Sequence, residues 1–272
     1  MKEPQLRLIA SSEGFSSKAL ILIPGAWDED NNLLEDYQRY VRYLRAAGWK
    51  DAIYALWWDS SREYVFKPLT WKRVKKRADE VGQDYFSDLV SKIPEKEISI
   101  IAFSAGARVA FNGLETWTNY HHILKDTILL AGALRRDDKN DWGYAASKLS
   151  GYLINIYNSD DPAMKIYRQG AGLNSPCGLK PIEERHPKII NFDATSIIGK
   201  QHKLSSYIDF LPYVTKSGYW NPFTETSNWV SQSEKTITVC PNCTQKLRAP
   251  SNLGEITLTC PKCKHSWLWY PG

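Results

Sequence analysis

Apolar residues in the first four-fifths of the chain fall into short continuous runs, which alternate with segments whose apolar residues recur at helical spacing. The continuous runs predict strands over residues 18–24, 52–58, 97–103, 127–133, 151–157 and 188–195. The periodic segments predict helices over residues 32–48, 70–91, 105–111, 162–168 and 203–211. Strands that are apolar throughout are typical of a sheet covered on both faces, so the alternation predicts a doubly wound, mostly parallel α/β sheet.

The stretch ISIIAFSAGARVAF, residues 98–111, places one serine between a predicted strand and a predicted helix. Small residues surround Ser104, namely Ala102, Ala105 and Gly106. A serine on a sharp strand-to-helix turn is the nucleophile elbow of serine hydrolases, and its neighbours must be small because the two backbones approach closely. The usual pattern is G-x-S-x-G, and this chain has alanine at the first position. Ser104 is therefore the candidate nucleophile.

The other parts of a serine hydrolase site follow the ends of predicted strands, in the order that α/β-hydrolases use. The first predicted strand ends in IPGAW, and the N–H groups of Ala26 and Ala105 would form an oxyanion hole. The fifth ends in YNSDDPAM, which offers Asp160 and Asp161 as the acid; Asp161 is favoured because Asp-Pro commonly opens a helix. The loop after the sixth predicted strand contains His202, the candidate base.

The other histidines compete poorly with His202 for the role of the base. His121, His122 and His186 precede predicted strands, so a parallel sheet would place them at the edge opposite Ser104. The sequence pattern therefore predicts the catalytic triad from residues that all follow strand ends.

Residues 18–212 resemble the α/β-hydrolase superfamily, and more narrowly a branch that includes the transmembrane and coiled-coil-domain hydrolases of eukaryotes. The shared stretches are ALILIPG, YALWWDSS, FSAGARVAF and YNSDDPAMKIYR. That branch typically has His-Gly in the oxyanion strand and Gly before the elbow, where this chain has Pro24-Gly25 and Ala102. Its eukaryotic members also carry membrane spans, which we do not expect here. The resemblance implies an esterase or a lipase-like serine hydrolase, with lipid esters among the candidate substrates.

A separate pattern lies near the C-terminus, where CPNC and CPKC place Cys240, Cys243, Cys260 and Cys263 at C-x2-C…x16…C-x2-C. Two such turns direct four thiolates at one metal ion, which is typical of a zinc ribbon. Iron is the chemical alternative, because both metals accept four thiolates. We expect a structural Zn²⁺, since four protein ligands leave no position for a catalytic water.

Length and composition complete the prediction of domains and partners. The 272 residues allow an α/β-hydrolase domain over residues 1–212, a linker or packed extension over 213–235, and a zinc ribbon over 236–272. A net charge of +5 is too mild to indicate nucleic acid as a partner. The first residues, MKEPQLRLIASSEG, contain no apolar run of signal-peptide length, and the paired cysteines fit a metal in a reducing compartment, so we predict a cytoplasmic protein. We expect no organic cofactor, a small-molecule or lipid ester as substrate, and a ribbon able to dock a protein partner.

Two interpretations of function stay open. The first is a serine hydrolase acting on a carboxylic ester through Ser104, His202 and Asp161. The second is a hydrolase scaffold without turnover, which binds partners and uses the ribbon to recruit protein or nucleic acid. A peptidase or thioesterase would use the same triad and differ only in its acyl substrate.

Overall fold

The computed structural model describes residues 2–26, 33–60, 68–119, 121–137, 139–171, 175–222, 235–250 and 256–269. The chain forms two compact units, Met1–Thr224 and Glu225–Gly272. Among the described helices, none combines the length and the apolar character needed to cross a membrane.

Strands and helices alternate along the first unit. The strands are β1 (Gln5–Ala10), β2 (Lys18–Ile23), β3 (Ala52–Trp57), β4 (Glu97–Phe103), β5 (Ile123–Leu130), β6 (Leu153–Tyr157) and β7 (Ile189–Asp193). The helices are α1 (Leu33–Ala46), α2 (Pro68–Glu80), α3 (Phe86–Ser91), α4 (Gly106–Glu115), α5 (Trp142–Ser147), α6 (Pro162–Ala171), α7 (Thr195–Ile198), α8 (Leu204–Ile208) and α9 (Leu211–Lys216). A π-helical turn, Val81–Tyr85, joins α2 to α3.

The strands of the first unit form one seven-stranded sheet in the order β1-β3-β2-β4-β5-β6-β7. Strands β2 to β7 pair in parallel, and β1 pairs antiparallel with β3. The predicted doubly wound, mostly parallel sheet is therefore confirmed, with its six predicted strands in place. The sequence pattern missed β1, because this edge strand is half exposed and lacks a continuous apolar run.

Both faces of the sheet are buried under helices. In β2, Ile21 and Ile23 belong to one hydrophobic cluster with residues of α2, α3, α4 and α5. Leu20 and Leu22 belong to the other, with residues of α1, α6, α8 and α9. Successive side chains of a strand point to opposite faces, so burial of both faces requires apolar residues at every position. This explains the continuous runs in the sequence.

The first unit continues past residue 212, where the sequence pattern placed the end of the hydrolase domain. Helix α9 extends to Lys216, and Trp220 is buried with its ring stacked on Trp49 at 6.4 Å between centroids. Most of the predicted linker, residues 223–234, lies outside the described residues.

The second unit contains two antiparallel hairpins. Strand β8 (Lys235–Val239) pairs with β9 (Lys246–Pro250), and β10 (Ile256–Thr259) pairs with β11 (Ser266–Trp269). The turn of each hairpin contains one CPxC sequence, so the fold presents the four cysteines in two equivalent turns.

Candidate active site and metal centre

Ser104 occupies the sharp corner between β4 and α4. Its φ of 52° lies in the left-handed region, which strains a residue with a side chain. A Cβ added at Gly106 would lie 2.5 Å from the carbonyl oxygen of Pro24 and 2.6 Å from that of Ile23. The start of α4 is thus pressed against the end of β2. This close approach is the physical reason for the small residues around the serine.

Three side chains from distant parts of the chain form a continuous hydrogen-bonded series at the carboxyl edge of the sheet. His202 Nε2 lies 3.1 Å from Ser104 Oγ, and His202 Nδ1 lies 2.7 Å from Asp161 Oδ2. Ser104 follows β4, Asp161 follows β6, and His202 lies between α7 and α8. Asp161 is fully buried and Ser104 is 5% exposed. The arrangement allows proton transfer between the hydroxyl and the imidazole, with the carboxylate orienting the ring.

The two adjacent aspartates after β6 have different surroundings. Asp161 Oδ1 accepts the N–H of Met164 at 3.0 Å in the first turn of α6, and Oδ2 faces His202. Asp160 is half exposed and pairs with Lys165 at 3.0 Å. The structure therefore brings Asp161, and not Asp160, to the histidine.

Tyr207, on α8, is a member of the site that the sequence pattern did not single out. Its hydroxyl donates to Asp161 Oδ2 at 2.6 Å, so that oxygen is shared between Tyr207 and His202. Burial and the neighbouring carboxylate raise the pKa of Tyr207 far above its ordinary value, which keeps the hydroxyl protonated as a donor. The only signal in the sequence was its place on the apolar face of the last predicted helix.

A buried asparagine ties together the loops that carry Asp161 and His202. Asn158 Nδ2 donates to the carbonyl of Gly199 at 2.7 Å, in the loop that leads to the histidine. Its Oδ1 accepts the N–H of Asp160 at 2.9 Å. One side chain thus couples the end of β6 to the histidine loop, which fixes the distance between the acid and the base.

The predicted oxyanion donors lie on two segments that pack together. Ala105 directly precedes α4, and the first N–H groups of a helix have no partner within the helix. Ala26 lies in the turn after β2, whose Pro24 carbonyl packs against Gly106. The indole N–H of Trp58, which is buried, donates to the same Pro24 carbonyl at 3.2 Å. These contacts hold the turn beside the elbow.

The four paired cysteines of the second unit meet at one point. Their ligand atoms all lie within 4.8 Å of one another. The Sγ–Sγ distances are 3.7 Å for Cys240–Cys263 and 3.6 Å for Cys243–Cys260. A tetrahedral site with Zn–S bonds of about 2.3 Å has S–S edges of about 3.8 Å, whereas a disulfide requires about 2.05 Å. The cluster fits a single tetrahedral metal ion.

The two cysteine turns have the same backbone. The N–H of Thr244 donates to the Cys240 carbonyl at 2.9 Å, and the N–H of Lys264 donates to the Cys260 carbonyl at 2.9 Å. Thr244 and Lys264 both have a φ of 60°. The fifth cysteine, Cys177, is a buried free thiol in the first unit.

A family model described as Protein of unknown function (DUF726) matches residues 53–210 of the chain. That span includes Ser104, Asp161 and His202, and it excludes Ala26 and the four paired cysteines. A comparison with curated proteins finds no match.

Solved structures similar to the chain include LpqC, a poly(3-hydroxybutyrate) depolymerase from Bordetella parapertussis. The two chains share 9% sequence identity with a TM-score of 0.50, over 79% of this chain and 84% of that chain. The apo form of Thermogutta terrifontis esterase 2 matches with 11% identity and a TM-score of 0.41, over 81% of this chain and 92% of that chain. The likeness to the depolymerase shows that the first unit has the α/β-hydrolase fold.

Proposed function

We propose that this chain, which belongs to the DUF726 family of proteins of unknown function, is a serine hydrolase that cleaves a carboxylic ester. The observation that carries the proposal is the hydrogen-bonded series of Ser104, His202 and Asp161 at the elbow of an α/β-hydrolase fold. An ester is the proposed substrate class, rather than a peptide or thioester, because the depolymerase with this fold acts on poly(3-hydroxybutyrate).

In the proposed mechanism, Ser104 Oγ attacks the ester carbonyl while His202 Nε2 takes the hydroxyl proton. The carbonyl oxygen becomes an oxyanion, which the N–H groups of Ala26 and Ala105 stabilise. The alcohol then leaves with the proton from His202, and the acyl group remains on the serine. A water molecule, deprotonated by His202, attacks the acyl-enzyme. The bond between the acyl carbon and Ser104 Oγ breaks, His202 returns the proton to Ser104 Oγ, and the acid is released. Asp161 holds the imidazole in the required tautomer and stabilises its protonated form.

Tyr207 acts in this proposal as a positioning residue. It contacts Asp161 and does not touch the reacting atoms, so its effect passes through the carboxylate. The ring of Phe103 packs against the His202 ring at 4.7 Å between centroids, and this contact restricts rotation of the imidazole. Tyr207 and Phe103 therefore restrict the positions of the carboxylate and the imidazole.

For the second unit we propose Zn²⁺ as the bound ion, held by Cys240, Cys243, Cys260 and Cys263 in a structural role. The support is the tetrahedral spacing of the sulfur atoms and the set of four thiolate ligands. Such thiolates persist as ligands in a reducing compartment, for which we propose the cytoplasm. Metal analysis of the purified protein distinguishes zinc from iron.

The decisive experiment is labelling with a fluorophosphonate probe, which reacts with an activated serine and ignores an idle one. We expect the wild type to be labelled and Ser104→Ala and His202→Ala to lose the label, while circular dichroism shows both variants folded. Ser206→Ala is the matched control: its hydroxyl donates to Gln201 and takes no part in the series, so labelling persists. A folded wild type that takes no label would support the binding scaffold and contradict the proposal.

A further inference from the structure

Helix α7 is a single helical turn between β7 and the loop of the candidate base. Both of its ends bind the acid loop, residues 158–161, which follows β6. At the start of the turn, the N–H of Ser159 donates to Thr195 Oγ1 at 2.9 Å. Directly after the turn, the carbonyl of Gly199 accepts a hydrogen bond from Asn158 Nδ2 at 2.7 Å. Two consecutive residues of the acid loop therefore hold the two ends of α7.

The bond at the end of α7 depends on an unusual backbone conformation at Gly199. Its φ of 62° and ψ of −144° lie in a region that is open to glycine and strained for other residues. A Cβ at this position would have no atom of the described residues within 4 Å, so the backbone conformation, and not lack of space, requires the glycine. The torsions of Gly199 set the direction of the carbonyl that Asn158 binds.

The same carbonyl is linked to the chain directly beside His202. It accepts the N–H of Gln201 at 2.9 Å, which closes a tight turn over residues 199–201. His202 follows this turn, and its ring lies within hydrogen-bond distance of Asp161 through one nitrogen and of Ser104 through the other. Hydrogen bonds weaken steeply when their distance and angle change, so the ring tolerates little displacement of its backbone. The position of α7 against the acid loop therefore sets where the imidazole lies.

We infer that Thr195 and Gly199 are positioning residues for His202 in ester hydrolysis. The inference rests on the proposed function and adds to it the part of the chain that holds the base in register with the acid. Each residue acts through its hydrogen bond to the acid loop, and so through the placement of the imidazole. Its loss should therefore lower kcat and leave KM nearly unchanged.

The first test substitutes two glycines that share a positive φ. Gly199→Ala forces the backbone away from its native torsions, so the carbonyl turns away from Asn158 and His202 moves with it. We expect kcat for a p-nitrophenyl ester and the second-order rate of fluorophosphonate labelling to fall about tenfold or more. The KM of the ester should stay nearly unchanged.

Gly218→Ala is the matched control for the first test. Gly218 has a φ of 81° and no atom of the described residues within 4 Å of an added Cβ, but it follows α9 and not α7. An alanine there is strained in the same way, so both variants should show a similar shift of the denaturant midpoint. Only Gly199→Ala should lose kcat and labelling rate.

The second test removes the other hydrogen bond without straining the backbone. Thr195→Val replaces the hydroxyl with a methyl group of similar size, so the N–H of Ser159 loses its acceptor. This bond is exposed to solvent, so we expect the variant to fold. Both rates should fall about threefold or more, because the start of α7 is no longer held. Thr195→Ser keeps the hydroxyl oxygen and should restore both rates to near those of the wild type.

Wild-type rates in Gly199→Ala or in Thr195→Val would overturn the inference for the residue concerned and leave the proposed function intact. An equal loss of rate in Gly218→Ala would also overturn it for Gly199, and an equal loss in Thr195→Ser would overturn it for Thr195. A folded wild type that neither takes the label nor cleaves the ester would instead contradict the proposed function itself.

Discussion

The candidate active site and the cysteine cluster assemble residues over very different distances along the chain. In the cluster, each pair of cysteines lies within one four-residue turn, and Cys243 is 17 positions from Cys260. In the active site, His202 is 98 positions from Ser104 and 41 from Asp161. The cluster needs two short hairpins, whereas the active site needs three loops carried by the seven-stranded sheet. A local site can therefore be recognised from residue spacing, while a dispersed site depends on the order of strands.

The largest effect expected in either region is the loss of the metal. Cys243→Ser removes one of four thiolates, and we expect metal content to fall from one ion per chain to near zero. Structural zinc in small modules contributes about 10 kcal/mol or more to folding, so the hairpins should lose their structure. Metal analysis and amide hydrogen exchange over residues 235–269 measure this. Cys177→Ser, which changes a buried thiol outside the cluster, should keep the metal; equal losses in both variants would contradict the assignment.

The next effect separates the two adjacent aspartates. Asp161→Asn should lower kcat for ester hydrolysis by about 10³–10⁴-fold, because an amide at this position favours the wrong imidazole tautomer. Asp160→Asn removes only the half-exposed pair with Lys165, so the rate should change by less than about twofold. Steady-state kinetics on a p-nitrophenyl ester measure both. The reverse ranking would mean that His202 is oriented by a different group.

A smaller effect tests the contact between the elbow and the turn after β2. Gly106→Ala would place a Cβ 2.5 Å from the Pro24 carbonyl oxygen, so backbone must shift. We expect a loss of about 1–3 kcal/mol in the free energy of unfolding, together with slower hydrolysis. Gly14→Ala is the control, because nothing lies within 4 Å of the added atom. Denaturant unfolding with equal stabilities of the two variants would rule out the close approach.

The smallest effect concerns the tyrosine that shares Asp161 with the histidine. Tyr207→Phe should lower kcat about tenfold with little change in KM, since a hydrogen bond to a charged group contributes about 1.5–3 kcal/mol. Without this donor, more of the carboxylate charge acts on His202, so the protonated imidazole is stabilised. The acid limb of the kcat/KM profile should therefore move to higher pH. Tyr213→Phe is the control, because Tyr213 is a half-exposed tyrosine on α9 and its loss should leave the pH profile unchanged. A Tyr207→Phe variant that loses stability but keeps the wild-type pH profile would assign Tyr207 a structural role only.

The sequence alone determined the features that depend on local pattern. Strands buried on both faces must be apolar throughout, so the five central strands, β2 to β6, were visible as continuous runs. Ser104 stood out because the elbow excludes large neighbours, and the four cysteines stood out because two ligands come from one tight turn. In contrast, β1 was missed, because an edge strand with one exposed face needs no such run.

Only the tertiary structure decided which of two neighbouring carboxylates faces the histidine and what surrounds that pair. The two residues are both aspartates, and their directions depend on two hydrogen bonds. The Asp160 N–H donates to Asn158 Oδ1, and the Met164 N–H donates to Asp161 Oδ1. The contact of Tyr207 with Asp161 likewise depends on how α8 packs on the sheet. Side chains from distant elements meet only after the sheet is assembled, and one sequence contains no pattern that reports their distance.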